Sequence, residues 1–186
     1  MESKEAILTL VEEYLSKFPG EKERASQLIQ FVKQYEGEAL FNRKNFTGHI
    51  TTSAFITNEK DDSLLLLKHK FLNRWLQPGG HVDATDKSLV ASALREACEE
   101  TGLSASDIEL VSAEIFDIDS HNIPENTTKQ EPAHVHHDIR FLFTCSYSNP
   151  LSISLEESTD SKWILFSELA DNEDFYWVER KIKGQK

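Results

Sequence analysis

The sequence predicts a mixed α/β or α+β fold, and three features predict it. Apolar residues recur at helical spacing through residue 35, the pattern turns β-rich from Gly48, and strand and helix patterns then alternate irregularly. No repeat or low-complexity tract interrupts the chain.

In residues 1–18, Ile7, Leu8, Leu10, Val11, Tyr14, Leu15 and Phe18 line one helical stripe, which Pro19-Gly20 stops. Residues 21–35 repeat the pattern with Ala25, Leu28, Ile29 and Val32, and Gly37 closes it. The two form a helical hairpin, with boundaries 1–45, that buries too little to stand alone and so caps something else. Residues 46–186 form the main domain. Strands are expected at 50–56, 63–68, 109–118, 138–147 and 162–166. Leu64 to Leu67 read as a short strand buried on both faces. Pro78-Gly79-Gly80 is a strong break, and 87–101 a helix with Gly102 as its stop. Residues 121–132 read as a loop, and 171–183 as the last helix.

Composition narrows the function. The chain of 186 residues carries a net charge of −12, and 39% of its residues are hydrophobic, enough for one sizeable core. Residues 1–45 hold 8 acids against 7 bases, so nearly all the excess charge lies in residues 46–186. Such a domain repels duplex nucleic acid. It also repels an anionic small substrate unless a divalent cation sits between them. Cys98 and Cys145 have neither disulfide-framework nor zinc-motif spacing. The N-terminus lacks a signal-peptide pattern and no apolar run spans a bilayer, so a cytoplasmic protein without a membrane partner is expected.

The chemistry concentrates in residues 79–103. Glu96, Glu99 and Glu100 stand at i, i+3 and i+4, on one helical face. Like charges at that spacing cost about 0.2–0.5 kcal/mol per pair, and the helix C-terminus disfavours anions further. A cation relieves both, and oxygen-only ligands suit Mg²⁺ or Mn²⁺ better than zinc. On their own such strings are usually solvated acidic faces. The Gly79-Gly80 pair leading into the same helix tips the balance, because glycine permits close approach of the backbone to a ligand.

Gly80, Arg95-Glu96, Glu99-Glu100, Gly102 and Leu103 together resemble the Nudix box, G-x5-E-x7-R-E-U-x-E-E-x-G-U with U a bulky aliphatic. The chain departs from it in three ways. Gly80 to Arg95 is one residue longer than the pattern, the early glutamate is replaced by an aspartate (Asp86, or Asp83 as competitor), and Ala97 is small. The resemblance covers residues 47 to about 170. It implies an α/β/α sandwich around a mixed β-sheet, here preceded by the hairpin, and a hydrolase that cleaves a pyrophosphate linkage in a nucleoside diphosphate derivative. By the same resemblance Glu96, Glu99, Glu100 and the Gly79 carbonyl hold Mg²⁺ or Mn²⁺. Arg95, counted with the three glutamates in the catalytic set, fixes the carboxylates, and the early acid orients the arginine. Many relatives pair, so a homodimer is an open option. The rival reading is a catalytically silent Nudix domain that binds a nucleotide or nucleotide sugar as a sensor.

Outside the box, strand alternation puts His134, His136 and Asp138 on one face of a His-rich strand, where they are candidates for substrate contact. His49 and His81 are further members of that cluster if the fold brings them there. Glu156 and Glu157 are candidates for a remote base or metal ligand, though solvated loop acids are the commoner case.

Overall fold

The computed structural model describes residues 1–58, 60–127, 130–146 and 151–184. Ser3 caps the first helix, α1 (Lys4–Lys17), by accepting the Ala6 N–H, and a short turn at Pro19–Glu21 leads into α2 (Lys22–Gln34). Of the stripes read from the sequence, Ile7, Val11 and Tyr14 of α1 and Ala25, Leu28 and Val32 of α2 are buried; Leu8, Leu10, Leu15, Phe18 and Ile29 are only partly so, and Phe31, outside the stripe, is buried as well. After Gly37, at φ 55°, the chain turns to the sheet.

The strands are β1 (His49–Asn58), β2 (Ser63–His69), β3 (Trp75–Leu76), β4 (Gly79–His81), β5 (Ile108–Leu110), β6 (Asp117–Ile123), β7 (His134–Cys145) and β8 (Ser158–Leu165). The sheet runs β3-β2-β1-β7-β5, with β4 also on β1, β6 on β7 and β8 on β2. The β1–β7 pair is parallel and in register from His49↔His136 to Asn58↔Cys145, while the other pairings are antiparallel, so the sheet is mixed.

Alternation along the central strands splits the side chains between two layers. Ile50, Ala54, Ile56, Ile139 and Phe141 join one apolar cluster with α1, α2 and the helix α3 (Leu89–Thr101). Phe55, Leu64, Leu66, Phe116 and Leu142 join another with Phe166 and Leu169 of α4 (Phe166–Leu169), Phe175, and Val178 of α5 (Val178–Gly184). The result is the expected α/β/α sandwich with helices at its N-terminal start.

A buried ionic web stitches the hairpin to the sheet. Fully buried Asp117 of β6 accepts hydrogen bonds from Arg24 of α2 at 2.9 Å, Arg140 of β7 at 3.0 Å and Lys181 of α5 at 3.0 Å. Lys181 also donates to Tyr14 at 2.8 Å and to Glu21 at 2.9 Å, and Tyr14 itself donates to Glu21.

Several element boundaries differ from the sequence reading. The strand expected at 109–118 is two strands, β5 and β6, separated by 111–116. The loop expected from 121 begins only after Ile123, because seven residues of β6 pair with β7 despite their polarity. The His-rich strand begins at His134 and β8 at Ser158. Tyr147, expected to end the former, lies outside the described residues. The last helix is confined to 178–184. Asp171 to Asp174 prefer turns, and the Asn172 side chain takes the Asp174 N–H.

Candidate active site

The helix α3 is delimited at both ends. Ser88 accepts the Ala91 N–H at 3.1 Å, the Glu2 carboxylate accepts the Leu89 N–H at 3.1 Å, and Gly102 ends the helix at φ 71°. Glu96, Glu99 and Glu100 thus share a face, but not an environment. The Glu99 side chain is 60% exposed and the Glu96 side chain 13%, while Glu100 as a residue is only 8% exposed.

β4 meets this face at its two glycines. The Gly79 N–H donates to Glu100 Oε2 at 2.9 Å. A Cβ on Gly79 would stand 2.6 Å from the Thr52 carbonyl, and one on Gly80 would stand 2.6 Å from Glu96 Oε2. Gly79 needs glycine because the backbone of β1 lies too close for a side chain, and at Gly80 a side chain would displace the Glu96 carboxylate.

Arg95 is held on several sides. Nε and Nη2 grip Asp86, each at 2.9 Å, Nη2 also reaches the His81 carbonyl at 2.9 Å, and Nη1 donates to Glu96 at 2.9 Å and Glu99 at 3.2 Å. Between the two aspartates open in the sequence, Asp86 is the one that meets the arginine. Asp83 turns back on Thr85 within its own loop, and the extra residue falls between Asp86 and Arg95, since Gly80 to Asp86 keeps the spacing of the pattern. The Asp86 bonds raise the Arg95 pKa, and they hold the Asp86 carboxyl below its usual range although burial works against this.

The carboxylates repel one another. Burial raises Glu96, and it pushes Glu100 up to about 8, against the Gly79 hydrogen bond and with help from the charges of Glu157, Glu96 and Glu99. Glu157 is the residue that sequence reasoning undervalued. The Ser154 N–H donates to the Glu100 carbonyl, which draws the loop before β8 to the end of α3 and brings the charge of Glu157 within reach of Glu96 and Glu100. No local pattern signals this, since Glu157 lies 57 residues from Glu100. The carboxylates do not converge on a ready-made cage: Glu96 and Glu99 rest on Arg95, and Glu100 on the Gly79 N–H. That suits Mg²⁺, which keeps waters and substrate oxygens as most of its ligands, and a cation relieves the repulsion that burial amplifies. The donor set therefore fits the cation that the sequence implies.

His134, His136 and Asp138 do share a face, but they divide. Asp138 is buried with its carboxylate engaged by Arg140 at 2.7 Å, Ser53 at 2.8 Å and Thr51 at 3.1 Å. These bonds brace β1 and β7, and both carboxylate oxygens are engaged within the protein. His134 and His136 instead gather with His49 and His81, as the sequence left open: the His49 ring centroid is 4.6 Å from that of His136 and 5.1 Å from those of His134 and His81. His81 links the two groups, giving its carbonyl to Arg95 and its ring to the histidines.

The NUDIX domain family model matches residues 47–183. The chain belongs to the Nudix family. Its Nudix box lies on β4, α3 and the turn between them, and the hairpin lies outside the match. The chain is 31% identical over 120 residues to a probable DHNTP pyrophosphohydrolase of Lactococcus lactis subsp. cremoris, an alignment spanning 64% of this chain and 69% of the relative. Two solved Nudix structures share the fold at lower identity. The E. coli dihydroneopterin triphosphate pyrophosphohydrolase aligns with TM-score 0.56 and 14% identity over 72% of this chain and 92% of that one. A C. elegans Ap4A hydrolase aligns with TM-score 0.53 and 15% identity over 73% and 93%. None of the described helices is long and apolar enough to cross a membrane.

Proposed function

We propose that this Nudix chain hydrolyses a pyrophosphate linkage in a nucleoside diphosphate derivative with Mg²⁺ or Mn²⁺. The carrying observation is the crowding of Glu96, Glu99, Glu100 and Glu157 beside Gly79-Gly80, an arrangement that destabilises the protein unless it holds a cation. Glu96, Glu99, Glu100 and the Gly79 carbonyl would hold it. When bound, the cation activates water and neutralises the phosphates. Arg95 positions Glu96 and Glu99, and Asp86 positions Arg95. Glu157, whose charge is felt at Glu96 and Glu100, is the proposed acceptor of the proton of an attacking water. Asp138 serves by bracing β1 and β7, while His134 and His136 stand at the edge where a substrate head group would reach the sheet. The 1–45 hairpin acts as an extension of the hydrolase domain at 46–186.

Turnover of a panel of nucleoside diphosphate derivatives, dinucleoside polyphosphates and a pterin triphosphate, with Mg²⁺ or Mn²⁺, tests this reading. The pterin belongs in the panel because a 31% identical relative is named for it. Selective turnover is expected, with kcat falling at least a hundredfold in Glu99→Gln. No turnover of any compound, alongside ligand-induced thermal stabilisation, would establish a binding sensor instead.

Asp86→Asn is expected to lower kcat by about 10–100-fold, the usual effect of removing a group that orients metal ligands. Asp83→Asn should leave kcat within about twofold, since Asp83 touches only its own loop. Steady-state kinetics of the two variants, read side by side, check the assignment, and equal losses would overturn it.

A further inference from the structure

The described residues contain a second constellation, of different chemistry from the carboxylates. Strand register explains it. His49 of β1 pairs with His136 of β7, which pairs on its other side with His121 of β6; His81 of β4 pairs with Thr51, two residues from His49. With a period of two, all these side chains leave the same face of the sheet, at one end. His49, His81 and His136 each offer a ring nitrogen, and the three atoms lie within 4.8 Å of one another.

We infer that His49, His81 and His136 form a transition-metal site, best suited to Zn²⁺, separate from the cation site of the Nudix box.

Three observations support it. First, His49 is completely buried, and its ring nitrogens make no well-formed hydrogen bond, only an approach to the Asn45 backbone that falls short of hydrogen-bond geometry. A buried imidazole so weakly partnered is costly, and an ion supplies what is missing. Second, the three rings crowd against one another, with centroids 4.6 Å apart for His49 and His136, 5.1 Å for His49 and His81, and 5.2 Å for His81 and His136. Third, a fourth imidazole stands beside the three. His134 Nδ1 can only donate to the Pro132 carbonyl, at 2.7 Å, so its Nε2 turns a lone pair toward His136 Nε2, 3.1 Å away. Two nitrogens sharing a tetrahedral zinc at about 2.0–2.1 Å stand roughly 3.3 Å apart, so His134 is placed as a fourth ligand after a small ring rotation. Imidazole donors select zinc-like ions where the carboxylates of α3 select hard ones.

The site joins three strands, and β4 is its shortest member, only three residues long. A metal there would tie β4 to β1 and β7 and so hold the His81 carbonyl that anchors Arg95.

The test uses Co²⁺ and Zn²⁺ on the chelator-treated full chain, in the wild type and in a Glu96→Gln/Glu99→Gln/Glu100→Gln variant. Expected in both are the intense visible bands of tetrahedral nitrogen coordination, saturating at one equivalent of Co²⁺ and lost on displacement by Zn²⁺, with any further Co²⁺ uptake confined to the wild type. His81→Gln and His136→Gln should each weaken Zn²⁺ binding at least a hundredfold in titration calorimetry while circular dichroism stays unchanged. Absence of tetrahedral bands in the folded carboxylate variant would overturn the site, whatever the histidine variants do. So would Zn²⁺ affinity that is indifferent to both histidine substitutions. None of these readouts depends on turnover, so the site stands or falls separately from the hydrolase reading.

Discussion

Glu100→Gln is expected to abolish turnover and, in the same protein freed of metal, to raise the melting temperature. The two effects share a cause. Glu100 is held at the end of α3, buried, with Glu96, Glu99 and Glu157 around it, and its pKa is pushed up from 4.5 to about 8. Because the folded value lies above the unfolded one, its contribution to stability is complete below about pH 4.5 and is lost as pH rises through about 8. Above that pH the ionised carboxylate costs the metal-free fold on the order of 3–5 kcal/mol. Glutamine keeps an oxygen for the Gly79 N–H and carries no charge, so it should restore about half of that. Thermal melts in chelator are therefore expected to converge for wild type and variant near pH 4.5. At pH 8 they should diverge, with the variant higher by roughly 5 °C. Saturating Mg²⁺ should raise the wild type and not the variant. Turnover should fall about a thousandfold, equivalent to roughly 4 kcal/mol of transition-state stabilisation. A variant that melts no higher than wild type at pH 8 would remove the argument that repulsion is stored there for a cation.

The second large effect is expected at Asp117, far from the catalytic carboxylates. Its buried carboxylate is the meeting point of Arg24, Arg140 and Lys181, which come from α2, β7 and α5. Removing one partner of a buried ionic group leaves the others desolvated and unpaired, at about 3–5 kcal/mol. Asp117→Asn should thus lower the melting temperature by roughly 10 °C in a chain of this size. Arg24→Met should cost much less, because the Arg24 side chain is 34% exposed and Arg140 and Lys181 still satisfy Asp117. Equal, small effects from both would mean that the web contributes little and that apolar packing alone holds the hairpin to the sheet.

Both predictions concern residues whose surroundings were only half visible in the sequence. Glu100 was legible as one of three carboxylates on a helical face, because helical geometry converts spacing directly into direction. What burial does to it was not, since that depends on Gly79, 21 positions back, and Glu157, 57 positions on. Asp117 carried no signal. It stood inside an expected strand, and its three cations lie between 23 and 93 positions away. Asp86 and Asp83 show the same boundary on a small scale. Both sat at plausible spacings, and the turn conformation settled which one faces Arg95. The late helix failed for a local reason, because helix propensity is weak across Asp171 to Asp174 and turn bonding competes with it.

What the sequence by itself determined is whatever depends on short-range geometry: the helical hairpin, the strand alternation that groups His134 with His136, the carboxylate face of α3, and the glycines that let β4 approach it. The Nudix family was legible for the same reason, since its box is one continuous segment. What only the tertiary structure decided is which charges share a low-dielectric interior. Strand order places β4 and β7 on either side of β1, so it gathers His49, His81 and His136. Chain folding brings Glu157 to Glu100 and three cations to Asp117. Electrostatic energy depends on distance and burial, and between residues this far apart along the chain neither is encoded in spacing.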